Sequence, residues 1–391
     1  MSKSSVLSGF YKLTPKERLN LVKEIVGLTE EEATMLQNTG SLSLDVADRM
    51  IENVIGAFPI PLGIGVNFLI NERDYLIPMA IEEPSVVAAA SYAAKMVRDG
   101  GGFHASSTPP IMIGQIQTVG IKDPYAARMK VIHAKEEILT KANEQDPVLV
   151  NAGGGARDLD VKVIHTAQGP MLITELQVDC RDAMGANAVN TMAEAVAPLI
   201  QRITGGRVYL RIISNLAVKR LVRVSCLVPK ESVGGEEVVD GIVNAYAFAA
   251  VDPYRAATHN KGIMNGVIAV IVCTGNDHRA IEAGGHAYAA MTGQYTTLST
   301  WEKNANGDLV GSMELPMAVG LIGGAVKTHP IAKIAVKILG VKSANEFGEV
   351  LAAVGIAQIP LAPFHFVSSP VLVPILTTTL GGLIGYCVAE R

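Results

Sequence analysis

The chain of 391 residues is 49% hydrophobic, 18% charged and only 5% aromatic, with a mean hydropathy of +0.30. At about 100–200 residues per domain this accommodates two or three domains with sizeable cores, and so apolar a composition excludes disorder. With 33 Lys and Arg against 37 Asp and Glu, the net charge of −4 gives nucleic acid no electrostatic purchase.

The first hundred residues read as helices. Thr14, Pro15 and Glu17 form a capping box with proline at the first helical position, and Thr29 with Glu32 repeats the box. Ser43 caps a third helix carrying Val46, Met50 and Val54 and closed by Gly56. An alanine-rich fourth covers 84–97 and stops at Gly100–Gly102. Around residue 110 the texture changes. The stretch 112–121 alternates as a strand, and Asp123–Pro124 starts an amphipathic helix reaching about Asn143. Runs 159–165 and 170–180 flank a Gln168–Gly169 turn as a hairpin; a helix over 184–203 and a strand over 207–214 follow. Strand, helix, strand, strand, helix, strand is the βαββαβ pattern of ferredoxin-like domains.

Further helices are predicted over 233–251, 277–291 and 331–339, with a hairpin turning at Asn306–Gly307 and a helix capped by Ser343 and Glu346. The fold class is therefore α+β. A mainly helical large domain, 1–109 and 216–355, carries an inserted ferredoxin-like small domain, 110–215, and an atypical apolar tail covers 356–391.

Cys180, Cys226, Cys273 and Cys387 lie 46, 47 and 114 residues apart with no CxxC pair. That argues against a disulfide framework or structural zinc and for a reducing compartment; no metal is expected. The N-terminus lacks a secretory signal, so a cytoplasmic location is expected. Between Glu349 and Glu390 lie 40 residues without a charge. Residues 369–389 are long enough to cross a bilayer, yet Pro370, Pro374 and Gly381–Gly382 make a poor helix, so a membrane is not favoured as a partner.

No GxGxxG or GxxxxGK[ST] occurs, so neither a Rossmann nor a P-loop site is supported. Polar segments inside apolar surroundings are the better lead. In IEEPS (81–85), Glu82 and Glu83 precede a helix. They are either dipole partners or acids held partly desolvated, able to donate a proton. DPYRAATHNKGIMNG (252–266) gathers Arg255, His259, Lys261 and Asn265, groups suited to a carboxylate and a developing oxyanion, or to a solvated loop. Asn276 and Asp277 of CTGNDHRA sit where a helix cap is equally expected. In RDAMGAN (181–187), Gly185 and Asn187 either bind a pyrophosphate or cap the helix.

Together and in this order, the EEPS, DAMGAN, SNLA, HNKG-MNG and TGND strings and GGxxKTHP (323–330) resemble the hydroxymethylglutaryl-CoA reductases. ENVIG (52–56) and the short N-terminus make the chain similar to the class II, prokaryotic type, over residues 1–358. The resemblance implies reduction of 3-hydroxy-3-methylglutaryl-CoA (HMG-CoA) to mevalonate and CoA with two nicotinamide hydrides, or the reverse. It implies a homodimer whose active site lies at the subunit interface. It gives Glu83 the role of catalytic acid, Lys261 that of oxyanion stabiliser, and Asp277 that of their common partner. Ser85, Arg255, Asn265 and Asn215 become substrate contacts, and the dinucleotide loop takes Asp182, Ala183, Met184, Gly185 and Asn187. Asp146 matches an acidic position facing the adenosine ribose, which favours NADH over NADPH.

Two departures stand out. The family's C-terminal flap carries a GHxxxHxR-type motif whose histidine protonates the departing thiolate; nothing like it occurs here, and the sole histidine after His329 is His365. An out-of-frame C-terminus, a membrane anchor or a family variant would each account for the tail. Ile268 stands where an aspartate is usual. Without the flap histidine, impaired thioester reduction is expected, and the alternative is an inactive homo-oligomer that binds the CoA thioester.

Overall fold

The computed structural model describes residues 4–359. The charge-free tail, beyond Ile359, lies outside the described residues.

Two sheets organise the chain. Strands β1 (Leu62–Ile70), β2 (Arg73–Ala80) and β3 (Phe103–Ser107) come first. Then follow β4 (Ile111–Val119), β5 (Gly155–Thr166), β6 (Gly169–Asp179) and β7 (Arg207–Ile213). Strands β8 (Leu221–Val228), β9 (Ser299–Lys303) and β10 (Leu309–Pro316) complete the set. One sheet has six strands in the order β2-β1-β3-β8-β10-β9, the other four in the order β5-β6-β4-β7. Because β3 and β8 pair antiparallel, from Phe103↔Cys226 to Ser107↔Val222, the four strands between them in sequence form an insertion.

The inserted unit has the anticipated order of elements. In β4 Met112, Ile116 and Thr118 are buried in alternation, which is the period of a strand with one covered face. The helix Ala186–Thr204 packs on that face with Val189, Met192, Ala193 and Val196 buried. The hairpin pairs Thr166 with Gly169, so its turn is Ala167–Gln168, one residue before the predicted one. The helix expected to reach Asn143 breaks at Ala134 into Pro124–His133 and Lys135–Asn143.

The helical reading of the first hundred residues is corrected. Both capping boxes form, at Thr14 and Thr29, but the third helix covers only Leu44–Ala47, and β1, β2 and β3 occupy much of 62–107. Phe68, Ile70, Ile77 and Met79 carry these strands into the core. Toward the end of the described residues, the helix Ala344–Ile356 is buried on every side from Val350 onward, with Phe347, Val350, Leu351 and Val354 fully enclosed. It packs against β3, β8, β10 and the helix Pro253–Cys273. An all-round apolar helix of this kind is the centre of a core rather than its rim.

Candidate active site

Two segments far apart in sequence bring the reactive side chains together. Glu83 lies in the link between β2 and the helix Val86–Asp99, and Lys261 lies on Pro253–Cys273. Lys261 Nζ donates to Glu83 Oε2 at 2.7 Å.

The helix presents its lysine outward because the two residues before it are tied inward. His259 Nε2 meets Ser299 Oγ at 2.7 Å. Asn260 Nδ2 donates to Tyr295 Oη at 3.0 Å and to the Thr296 carbonyl at 2.9 Å, while its Oδ1 accepts from the Leu298 N–H at 2.9 Å. The next position is turned about 100° around the axis, toward the surface. Burial, with Arg255 adding to it, presses the His259 imidazole down to about 4. At neutral pH it is an uncharged anchor.

Asn265 is one turn beyond Lys261 on the same helix face and half-buried. Arg255 sits in the first turn of the same helix, its backbone N–H capped by Asp252 Oδ1 at 2.7 Å. Ser85 has φ +77°, a left-handed conformation, and its hydroxyl does not cap the helix it precedes. Such a backbone costs about 1–3 kcal/mol for a non-glycine residue. The hydroxyl, two residues from Glu83, is left without a capping role.

The side chains of Lys261 and Glu83 are 56% and 45% exposed, so a single chain does not hold the pair out of bulk water. Asp277 does not join them. Its Oδ1 accepts from the N–H groups of Arg279 and Ala280 at 3.1 and 3.2 Å and from Arg279 Nε at 3.1 Å, which is the capping alternative. Burial pulls this carboxyl up, but the Arg279 and Ala280 hydrogen bonds outweigh it and hold it below the usual aspartate range. Its neighbour Asn276 accepts from the Gly320 N–H through Oδ1 at 2.8 Å. Asn215 is exposed in the link between β7 and β8.

The second group of candidates surrounds the start of Ala186–Thr204. Its N-cap, Gly185, has φ +111° and no side chain caps the helix, so the first-turn N–H groups keep their capacity for an anion. Asn187 is exposed in that first turn, and Ala183 and Met184 are half-buried before it. Asp182 is engaged differently: its Oδ1 accepts from the Ala344 N–H at 2.7 Å and its carbonyl from the Leu321 N–H at 2.8 Å. It holds protein together, and its carboxylate is turned away from the helix start. Asp146 caps Pro147–Asn151 by accepting from the Leu149 N–H through Oδ1 at 2.9 Å.

Two residues that carried no sequence signal stand at the site's edges. Gln358, buried, donates from Nε2 to the carbonyl of Val86 at 3.2 Å, tying the chain beyond Ala344–Ile356 to the segment that carries Ser85. Arg220 is buried behind the loop 182–185. Among the described residues no group of three or more His, Cys, Asp or Glu could hold a metal ion, and no helix is long and apolar enough to cross a membrane.

Comparison with known proteins supplies the frame for this geometry. The family model for hydroxymethylglutaryl-coenzyme A reductase matches residues 14–359. A 3-hydroxy-3-methylglutaryl-coenzyme A reductase from Archaeoglobus fulgidus is 61% identical over 355 residues, 91% of this chain and 81% of the relative. A probable reductase of the same kind from Borreliella burgdorferi is 34% identical over 323 residues, 80% of this chain and 72% of the relative. The class II reductase of Streptococcus pneumoniae, solved bound to NADPH in open conformations, superposes with a TM-score of 0.89 at 40% identity, covering 92% of this chain and 99% of that one. On the fold, the site's ordered motifs and these matches, the chain belongs to the hydroxymethylglutaryl-coenzyme A reductase family.

Proposed function

We propose that this chain reduces the thioester of HMG-CoA to mevalonate, or catalyses the reverse oxidation, with Lys261 and Glu83 at the reacting carbon. The observation that carries this reading is the 2.7 Å contact between an ammonium and a carboxyl brought together from distant segments. At 56% and 45% exposure such a pair adds at most about 1 kcal/mol to stability. Stability therefore gives little reason for the arrangement, and chemistry gives a good one.

The uncapped start of Ala186–Thr204 and the close-packed glycine before it fit a dinucleotide's pyrophosphate, held by Ala183, Met184, Gly185 and Asn187. The bound nicotinamide supplies hydride, two equivalents for each thioester carried to the alcohol. Lys261 Nζ neutralises the negative charge that grows on the carbonyl oxygen, the tetrahedral hemithioacetal then breaks its C–S bond and releases CoA as the thiolate, and Glu83 delivers the proton that the final alkoxide takes up. Ser85, Arg255, Asn265 and Asn215 hold the substrate's carboxylate and hydroxyl, with Arg255 as the cation that suits the carboxylate. Asp277, capped on Arg279 here, joins the pair by turning one oxygen toward it when substrate is bound. NADH is preferred over NADPH because Asp146 keeps its second oxygen for the ribose hydroxyls and repels a 2′-phosphate.

A second copy of the chain covers the half-exposed pair and dries it, which makes the working unit a homodimer. The large substrate-binding domain comprises 1–109 and 216–355, and the inserted nicotinamide domain comprises 110–215. The test is NADH oxidation by the full chain with HMG-CoA and, separately, with mevaldehyde. Turnover that Lys261→Ala removes supports the assignment; undiminished turnover in that variant overturns it.

A further inference from the structure

Arg220 is 3% exposed and forms no salt bridge among the described residues. Its guanidinium is spent on three backbone carbonyls. Nη1 donates to Ala183 at 3.0 Å and Met184 at 3.1 Å, and Nη2 to Val319 at 2.5 Å. The carboxylates of Asp179 and Asp182 act on this cation only at longer range and offset part of its burial, so hydrophobic packing would close the junction at lower cost.

What the guanidinium joins explains its presence. Ala183 and Met184 are the last residues before Gly185 and the uncapped helix start. Val319 belongs to a segment that runs from β10 past the turn at Asn276–Asp277 to that loop. Next along it, the Gly320 N–H donates to Asn276 Oδ1 at 2.8 Å, beside Asp277, and the Leu321 N–H donates to the Asp182 carbonyl at 2.8 Å. The approach is close enough that a Cβ on Gly320 would lie 2.4 Å from Met184 N. Arg220 itself follows Asn215 by five residues, and its own carbonyl accepts from the Met317 N–H at 3.0 Å.

We propose that Arg220 is a positioning residue for hydride transfer, setting the distance between the dinucleotide loop at 183–185 and the substrate side of the site at 276–277. The role rests on the reading of 183–187 as the dinucleotide loop. A fixed guanidinium fork holds two consecutive carbonyls and a third from the facing segment in one plane, which a single ammonium cannot do. Without it the peptide planes before Gly185 are free to turn, and the helix start loses its aim at the pyrophosphate. The substrate groups on Pro253–Cys273 are untouched.

The experiment measures NADH and HMG-CoA affinity separately, by fluorescence titration and calorimetry, on full-length Arg220→Met, Arg220→Lys and Gly320→Ala. Arg220→Met is expected to weaken NADH on the order of 10-fold through the loss of charge-assisted hydrogen bonds, leaving HMG-CoA within about 2-fold. Arg220→Lys recovers part of the loss, and Gly320→Ala, which pushes the same loop from the other side, weakens NADH alone. Gly320→Ala decides the matter if both Arg220 variants fail to fold. Equal weakening of both ligands, or a folded variant of either position with wild-type NADH affinity, overturns the proposal. If the wild type itself binds HMG-CoA but not NADH, the reading of the loop fails first, a result distinct from the other two.

Discussion

The two halves of the site are built by opposite means. On the proposed substrate side the candidate groups are side chains: Lys261 projects half-exposed from a helix whose preceding residues, His259 and Asn260, are locked in the core, and Glu83 meets it from the link after β2. On the proposed dinucleotide side the available groups are backbone N–H groups at the start of Ala186–Thr204, while the nearby charged side chains, Asp182 and Arg220, hold the loop through hydrogen bonds. The first half can lose a functional group and keep its shape. In the second, the proposed binding depends on the shape of the loop, so a substitution that alters the loop is expected to alter binding.

The contrast can be broken most forcefully at Lys261. Lys261→Ala should lower turnover on the order of 10²–10³-fold, the usual cost of an oxyanion donor, while shifting stability by no more than about 1 kcal/mol. Steady-state kinetics beside thermal unfolding checks both numbers. A large loss of stability would mean that the pair is structural.

The anchors beneath the lysine should behave in the reverse way. With His259 held at about 4 in the folded chain and near 6.5 when unfolded, the unfolded state binds the extra proton first. Stability is therefore full above about pH 6.5 and falls as pH drops toward 4, by about 3 kcal/mol in all. Denaturant unfolding across that range measures the slope, and His259→Gln should flatten it. Asn260→Ala leaves the Leu298 N–H and the Thr296 carbonyl unpaired and should cost about 1–3 kcal/mol of stability, with activity falling only as the helix loosens.

The smallest effect belongs to the dinucleotide half. Asp146→Ser keeps the helix cap and removes the charge. It should shift the ratio of NADH to NADPH efficiency about 10-fold toward NADPH, or about 1.4 kcal/mol; an unchanged ratio would remove Asp146 from cofactor choice.

The same contrast explains what could be read from the residues alone. The inserted unit was legible because β4 alternates from Gly114 to Val119 and β5 from Leu159 to Lys162, with turn signals around them. Strand β1 was hidden by Gly63 and Gly65, by Asn67 in a left-handed conformation, and by the irregular register between Gly65 and Phe68. Strand β2 contains Pro78, and β3 buries only Phe103 fully along five residues. The helix Pro253–Cys273 passed for a polar stretch between helices because Gly262 and Gly266 look like breakers, whereas they face Ile359 and Gln358, just past Ala344–Ile356. Lys261 and Glu83 were legible as candidates by residue type, and the structure brings them within 2.7 Å of each other. Arg220 was not, because its partners are carbonyls contributed by three segments, and no residue type or spacing marks a carbonyl acceptor.

The most direct test of the central claim is a double-mutant cycle on Glu83→Gln and Lys261→Met, read as kcat/KM for mevaldehyde reduction, which needs one hydride and no departing thiolate. If the two groups act on one carbon as a unit, the double variant should be no slower than the slower single variant. Losses that simply multiply would show two groups acting independently and would contradict the account.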